Sequence, residues 1–311
     1  MEGAYYNGQY LNRLERLGYS QAEIDNKLES TFEEMFYGPE GVRLCHCAGP
    51  DMMYIEDTGN HDVRTEGMSY AMMFCVQMNR QKEFDCLWRW VVTHMYLTEG
   101  ENAGYFAWSC HTDGSKNSDG PAPDGEEFFA MSLFFAANRW GSGEGVLDYA
   151  SWARRILHAC VHKGEEAGSG FPMWNPENHL IKFIPNCEFT DPSYHLPHFY
   201  ELFALWSDEC DRPFWHAAAA ASRQYLRKAC HARTGLSAEY AEYDGRPHRG
   251  DQPDRHDWFF SDAYRTLGNI ALDAQWFGDK DGWAQETAAH IQQFFEEKEH
   301  GQTNGIYLID G

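Results

Sequence analysis

The stretch DVRTEGMSYAMMFCV, residues 62–76, carries the reading of the fold. Met68, Ala71, Met72, Cys75 and Val76 recur at a 3.6-residue period, so one face of a helix is apolar and faces a core. The same period continues outward in both directions. Ser20-Gln21-Ala22-Glu23 is a capping box, with a hydroxyl at the cap and a carboxylate three residues on, and predicts a helix to about Tyr37. A second apolar helix is expected near Phe84 to Tyr96, and others near 125–140, 146–163, 191–209, 212–230, 261–277 and 280–298. Strand-like alternation is scarce, and segments such as Leu180 to Ile184 are short.

About nine helices result, joined alternately by short connections (Asn79-Arg80, Gly278-Asp279) and long ones (98–123, 164–190, 232–260). Such alternation suits helix pairs in a ring, with the long loops building a site on one face. No low-complexity linker divides the chain, so residues 1–311 read as a single domain.

Composition excludes partners better than it identifies one. The net charge of -23 repels nucleic acid and anionic lipid, so neither is an expected partner. No apolar stretch reaches membrane-spanning length. The nine cysteines form no loop-rich framework; Cys75, Cys160, Cys210 and Cys230 sit in apolar helical stretches, which points to reduced, buried thiols. Cys45-His46-Cys47 looks like a metal fragment, but no second ligand pair at structural-zinc spacing follows it. Neither a metal nor a cofactor is expected. MEGAYYNGQY has no basic start and no apolar run, so the cytoplasm is the expected compartment.

Three acidic residues lie where a long loop meets a helix start: Glu66 in TEGMSY, Asp124 in APDGEE, and Asp262 in SDAYR, after an expected cap at Ser261. Acidic residues are common in first turns because the helix dipole favours them. Here each is flanked by aromatic or glycine-rich sequence, which suggests a carboxylate-lined cleft in a helical domain. Pattern alone leads no further.

These stretches, with ENAGYFAWSCHTDG (101–114), FPMWN (171–175) and FTDPSYHLPHFYELFALW (189–206), closely resemble glycoside hydrolase family 8. The likeness is greatest to the branch that releases xylose from the reducing end of xylo-oligosaccharides. It runs in order along essentially the whole chain. The resemblance implies an all-α (α/α)6 barrel that hydrolyses β-1,4-glycosidic bonds with inversion. It implies Glu66 as general acid, Asp262 as general base, and Asp124 at the cleavage subsite, holding the distorted sugar ring. Tyr194 would position the attacking water, Arg265 would steady the base, and Trp108 would stack on a sugar, with Tyr105 and Trp174 as further subsite candidates. His111, His195 and His198 stay outside the catalytic set.

The residue types suit the reaction. One protonated carboxyl delivers a proton to the leaving oxygen and one carboxylate activates water, roughly 6.5–9.5 Å apart in an inverting enzyme. A base at a helix start near an arginine favours the ionised form, and an acid in a drier, aromatic setting favours the protonated one. Members of this branch continue for several tens of residues past GIYLIDG, and twelve helices are implied, so the chain is expected to lack its last helices. The exo preference follows from overall similarity, not from a residue present here. An endo-acting glucanase or chitosanase, and an oligosaccharide-binding protein without turnover, are the alternatives.

Overall fold

The computed structural model describes residues 2–165, 168–250, 255–299 and 305–311. Residues 166–167 and 251–254, parts of two long loops expected from the sequence, lie outside the described residues. The described residues form eleven α-helices: α1 Ala4–Asn7, α2 Arg13–Arg16, α3 Gln21–Tyr37, α4 Thr65–Gln77, α5 Gln81–Trp90, α6 Pro123–Trp140, α7 Tyr149–His162, α8 Pro197–Trp206, α9 Arg212–Ala229, α10 Arg265–Phe277 and α11 Trp283–Glu299. Four short strands pair antiparallel as β1 (Cys45–Cys47) with β2 (Met53–Ile55) and β3 (Val63–Arg64) with β4 (Ser109–Cys110). Among the described residues no helix is long and apolar enough to cross a membrane. The contacts divide the chain into two compact units, Tyr10–Ala159 and Met1–Gln9 with Cys160–Gly311.

In the unit Tyr10–Ala159 the capping box of α3 is present in both directions, which is worth about 1 kcal/mol to the helix start. The predicted face of α4 is buried: Met68, Met72 and Cys75 are fully enclosed and Ala71 and Val76 nearly so. That face packs on α5 and α6. Trp88 of α5 anchors the core, its ring 5.9 Å from Phe106 and Phe129 and 5.4 Å from Trp152, and its Nε1–H donates to the Val146 carbonyl at 2.8 Å. Burying both the ring and a satisfied N–H gives the apolar contribution without a polar penalty.

The helix expected to continue to Tyr96 ends its α-helical part at Trp90, and Val91–Met95 form a π-helical turn closed by Tyr96 N–H to Val91 O. The wider turn frees Met95 to Leu97 for pairing with the returning loop, through Leu97 N–H to Tyr105 O at 2.9 Å and Ala107 N–H to Met95 O at 2.8 Å. The long loop is thereby pinned just before Trp108.

In the other unit α8 packs on α9, and α10 on α1, α8 and α11. Trp174, Tyr200, Phe203 and Trp215 form an edge-to-face aromatic core, with ring centroids 5.0–5.6 Å apart between Trp174 and Tyr200, Trp174 and Trp215, and Phe203 and Trp215. Arg223 of α9 is clamped by Asp273 at 2.7 and 2.8 Å and by Glu201 at 2.5 Å. Cys210, expected inside a helix, is exposed in the turn before α9, because the cap region begins there.

Two helix starts differ from the sequence reading. The helix expected from 191 is split into a 3-10 turn, Pro192–Tyr194, and α8 from Pro197. Pro197 has no N–H and excludes Leu196 from the helical region, which sits at φ -119° and ψ 64°. Likewise Ser261–Tyr264 is a 3-10 turn ahead of α10, and Ser261 does not cap it: its backbone is left-handed, φ 43°.

Candidate active site

Each unit holds one half of the residues singled out in the sequence. In Tyr10–Ala159 the starts of α4 and α6 touch. A Cβ on Gly125 would lie 2.4 Å from Thr65 Cβ, so only glycine allows this approach. Glu66 follows Thr65 directly and Asp124 precedes Gly125, so the two acids flank the contact between the helix starts. Glu66 is half-buried and its Oε2 accepts from the Thr65 hydroxyl at 3.3 Å. Asp124 is buried, and its Oδ1 accepts from the Gly125 N–H at 3.0 Å.

Trp108 joins them through the backbone, its carbonyl accepting from Thr65 N–H at 3.0 Å next to the β3–β4 pair. Its ring is half-buried, with the Arg64 guanidinium 5.0 Å from the centroid. Arg64 is held in turn by Asp62 at 3.0 Å. A ring fixed on one side by a cation is a rigid platform.

Glu126, one residue beyond Gly125, was not singled out in the sequence. It is fully enclosed, and its Oε1 accepts from Phe106 N–H at 3.0 Å, tying the start of α6 to the loop that carries Trp108. Burial pushes this carboxyl well above the usual carboxylate range; the Phe106 N–H opposes the shift, and the like charges of Asp124 and Glu66 add to it. A group whose folded pKa is raised contributes its full stability below the unfolded value, about 4.3, and loses it as pH rises towards the folded value. Glu126→Gln keeps the acceptor for Phe106 and cannot ionise. Its melting temperature is expected to match wild type near pH 4 and to exceed it at pH 7. Equal or lower stability at pH 7 would show that the Glu126 carboxyl pKa is not raised by its burial.

In the other unit Asp262 lies in the 3-10 turn before α10, with its side chain 40% exposed and the Arg265 guanidinium 2.9 Å away, one turn along. Arg265 also lies over the Tyr194 ring at 5.6 Å. The Ser193–Tyr194 turn is fastened by Asn269 Nδ2 to Ser193 O at 2.7 Å and by the Tyr200 hydroxyl to Tyr194 O at 3.1 Å. Asp191, also missed in the sequence, is buried beneath this group and accepts from Ser193 N–H at 2.6 Å. Burial raises its pKa well above the ordinary value, against the pull of Arg265. Its one sequence signal is its place three residues before Tyr194.

Two subsite candidates move to the core. Tyr105 is fully enclosed with its hydroxyl donating to Ala159 O at 3.1 Å, and Trp174 is 1% exposed within the Tyr200–Trp215 cluster. Neither ring offers a face to a sugar. His195 and His198 are also buried, and burial draws both down to about 3, so both are neutral; His195 bridges Thr190 and Ser222 at 3.0 and 2.9 Å.

The model of glycosyl hydrolases family 8 matches residues 19–307. The chain belongs to that family. It is 54% identical over 311 residues to the reducing end xylose-releasing exo-oligoxylanase of Halalkalibacterium halodurans, covering 100% of this chain and 79% of that protein. It is 56% identical over 300 residues to the corresponding Paenibacillus barcinonensis protein, covering 95% of this chain and 77% of that one. A solved structure of a variant of the Paenibacillus barcinonensis protein, complexed with an α-L-arabinofuranosyl-xylotetraose, superposes with a TM-score of 0.96 at 53% identity, over 100% of this chain and 81% of that one. The fold class is accordingly all-α, of the (α/α)6 barrel type, and the chain is a glycosidase.

Proposed function

We propose that this chain hydrolyses β-1,4-linked xylo-oligosaccharides with inversion, releasing xylose from the reducing end. The observation that carries this reading is identity above half, along nearly the whole chain, to proteins named for that activity. Glu66 protonates the departing glycosidic oxygen, while Asp262 draws a proton from the water that attacks the anomeric carbon from the opposite face. Arg265 anchors the Asp262 carboxylate, and Tyr194, under the same guanidinium, positions the water. Asp124 serves the cleavage subsite, where the ring is distorted, and Trp108 covers the apolar face of a sugar.

Xylotriose carrying a 13C label at its reducing-end C1, followed by NMR, tests this. The label is expected to appear in xylose, and the accompanying xylobiose is expected to form first as its α-anomer. A first-formed β-xylobiose would remove inversion. Label retained in xylobiose would remove reducing-end release. Turnover of cellotriose as fast as xylotriose would favour an endo-acting glucanase, whose pocket accommodates a C6 hydroxymethyl group.

A further inference from the structure

Tyr194 ends the 3-10 turn Pro192–Tyr194, and the peptide groups on both sides of it are held from outside that turn. The peptide before it offers the Ser193 carbonyl, which accepts from Asn269 Nδ2 of α10 at 2.7 Å. The peptide after it offers the Tyr194 carbonyl, which accepts from the Tyr200 hydroxyl of α8 at 3.1 Å. Each peptide group is planar, so fixing the plane on either side of a residue fixes its φ and ψ, and with them the direction of its Cα–Cβ bond. The two fastenings differ in what they hold the tyrosine to. Tyr200 is fully enclosed, with its ring centroid 5.6 Å from that of Trp174, so its bond ties Tyr194 to the core. Asn269 is half-buried and lies on the helix that continues directly from the turn bearing Asp262.

Asn269 is four residues after Arg265, so the two side chains leave α10 on one face, one turn apart. Arg265 reaches back to the Asp262 carboxylate at 2.9 Å and lies over the Tyr194 ring at 5.6 Å. One face of α10 thus meets the base, the tyrosine ring and the tyrosine backbone. We infer that Asn269 is a positioning residue for the attacking water: it ties the peptide before Tyr194 to the helix that carries Asp262, so that the tyrosine and the base keep one separation. The inference rests on the roles proposed above for Tyr194 and Asp262. The guanidinium alone does not supply this, because a cation is attracted to a ring face anywhere within about 6 Å of its centroid, whereas an N–H to carbonyl bond is directional. Within the turn, Asp191 accepts from Ser193 N–H at 2.6 Å and the Asp191 carbonyl from Tyr194 N–H at 3.0 Å. Those bonds shape the turn but do not attach it to α10.

Kinetics well below the melting transition test this. Asn269→Ala is expected to lower kcat on xylotriose about 10-fold with KM within about twofold, because the lost bond is to backbone and bound substrate meets a displaced water. Asn269→Asp keeps the size but removes the amide donor, and is expected to lose at least as much. Tyr194→Phe removes the hydroxyl through which the asparagine acts, so in that background Asn269→Ala is expected to cost less than about twofold. A residue that only staples the turn would lower the melting temperature and leave kcat within about twofold of wild type, or would add its loss in full to that of Tyr194→Phe. Either kinetic result would overturn the inference, and if Asn269→Ala fails to fold, Asn269→Asp, alone and combined with Tyr194→Phe, decides. Tyr194→Phe by itself separates the two levels. If it is impaired while Asn269→Ala is not, only the positioning role falls; if it keeps the wild-type kcat, the water-positioning assignment falls and the inference with it.

Discussion

Glu66→Gln is expected to lower kcat on xylotriose by about 10³-fold, with binding of the oligosaccharide and the melting temperature little changed. Glutamine has the same shape and can still accept from the Thr65 hydroxyl, which is 3.3 Å from Glu66 Oε2, so the start of α4 has no reason to move. What it lacks is a proton acidic enough to reach the leaving oxygen. A xylose leaving group is a poor one, and without protonation the glycosidic bond breaks slowly. The decisive control changes the leaving group and not the protein. A nitrophenyl xylobioside expels a stable phenolate without help, so on that substrate the variant is expected to lose far less, about 10-fold or below. Steady-state kinetics on both substrates, with calorimetric titration of xylotriose, measures the contrast. A loss that is equally large on both substrates would mean that glutamine distorts the site, and a loss under 10-fold on xylotriose would remove Glu66 as the acid.

Much of this half of the site was legible because its signals are local. The 3.6-residue spacing of Met68, Met72 and Cys75 sets which way α4 faces, and the structure buries those side chains. Once the inward face is known, Glu66 falls near the helix start at the end of a loop. Elsewhere local pattern stops being informative. The helix expected from 191 runs past Pro197, which splits it for a steric reason that periodicity does not register. Tyr105 and Trp174 lie in loops, where aromatic residues serve equally for sugars and for cores; their enclosure is decided by Ala159 and by Tyr200 and Trp215, all distant in sequence. The buried acids were hidden for the same reason. Glu126 next to Asp124 looks like another first-turn acid, and the Phe106 N–H that holds it lies 20 residues back.

Gly125→Ala tests the packing on which Glu66 and Asp124 both depend, and its effect is expected to be large on stability and on rate together. An added Cβ would meet Thr65 Cβ at 2.4 Å and Oγ1 at 2.6 Å. Unstrained carbon contacts lie near 3.5–4.0 Å, so the first turns of α4 and α6 must part by about 1 Å. Neither can yield easily, because Thr65 and Ser69 on one side and Glu126 and Phe129 on the other are fully buried. Overpacking of this kind costs about 1–3 kcal/mol, and the better helix propensity of alanine offsets at most about 1 kcal/mol of it. The displacement falls on the residues flanking Glu66 and Asp124, so kcat is expected to drop about 10²-fold as well. Gly67→Ala is the contrast: its Cβ would lie 3.4 Å from Ile55 Cγ2, an ordinary contact, beside the same acid. That variant is expected to fold at least as well as wild type. Thermal denaturation and kinetics of both, together with Gly125→Ala combined with Thr65→Gly to take away the opposing Cβ, complete the comparison. If Gly125→Ala were as stable and as active as Gly67→Ala, the starts of α4 and α6 would not be in contact, and the placement of Asp124 beside Glu66 would fail with them.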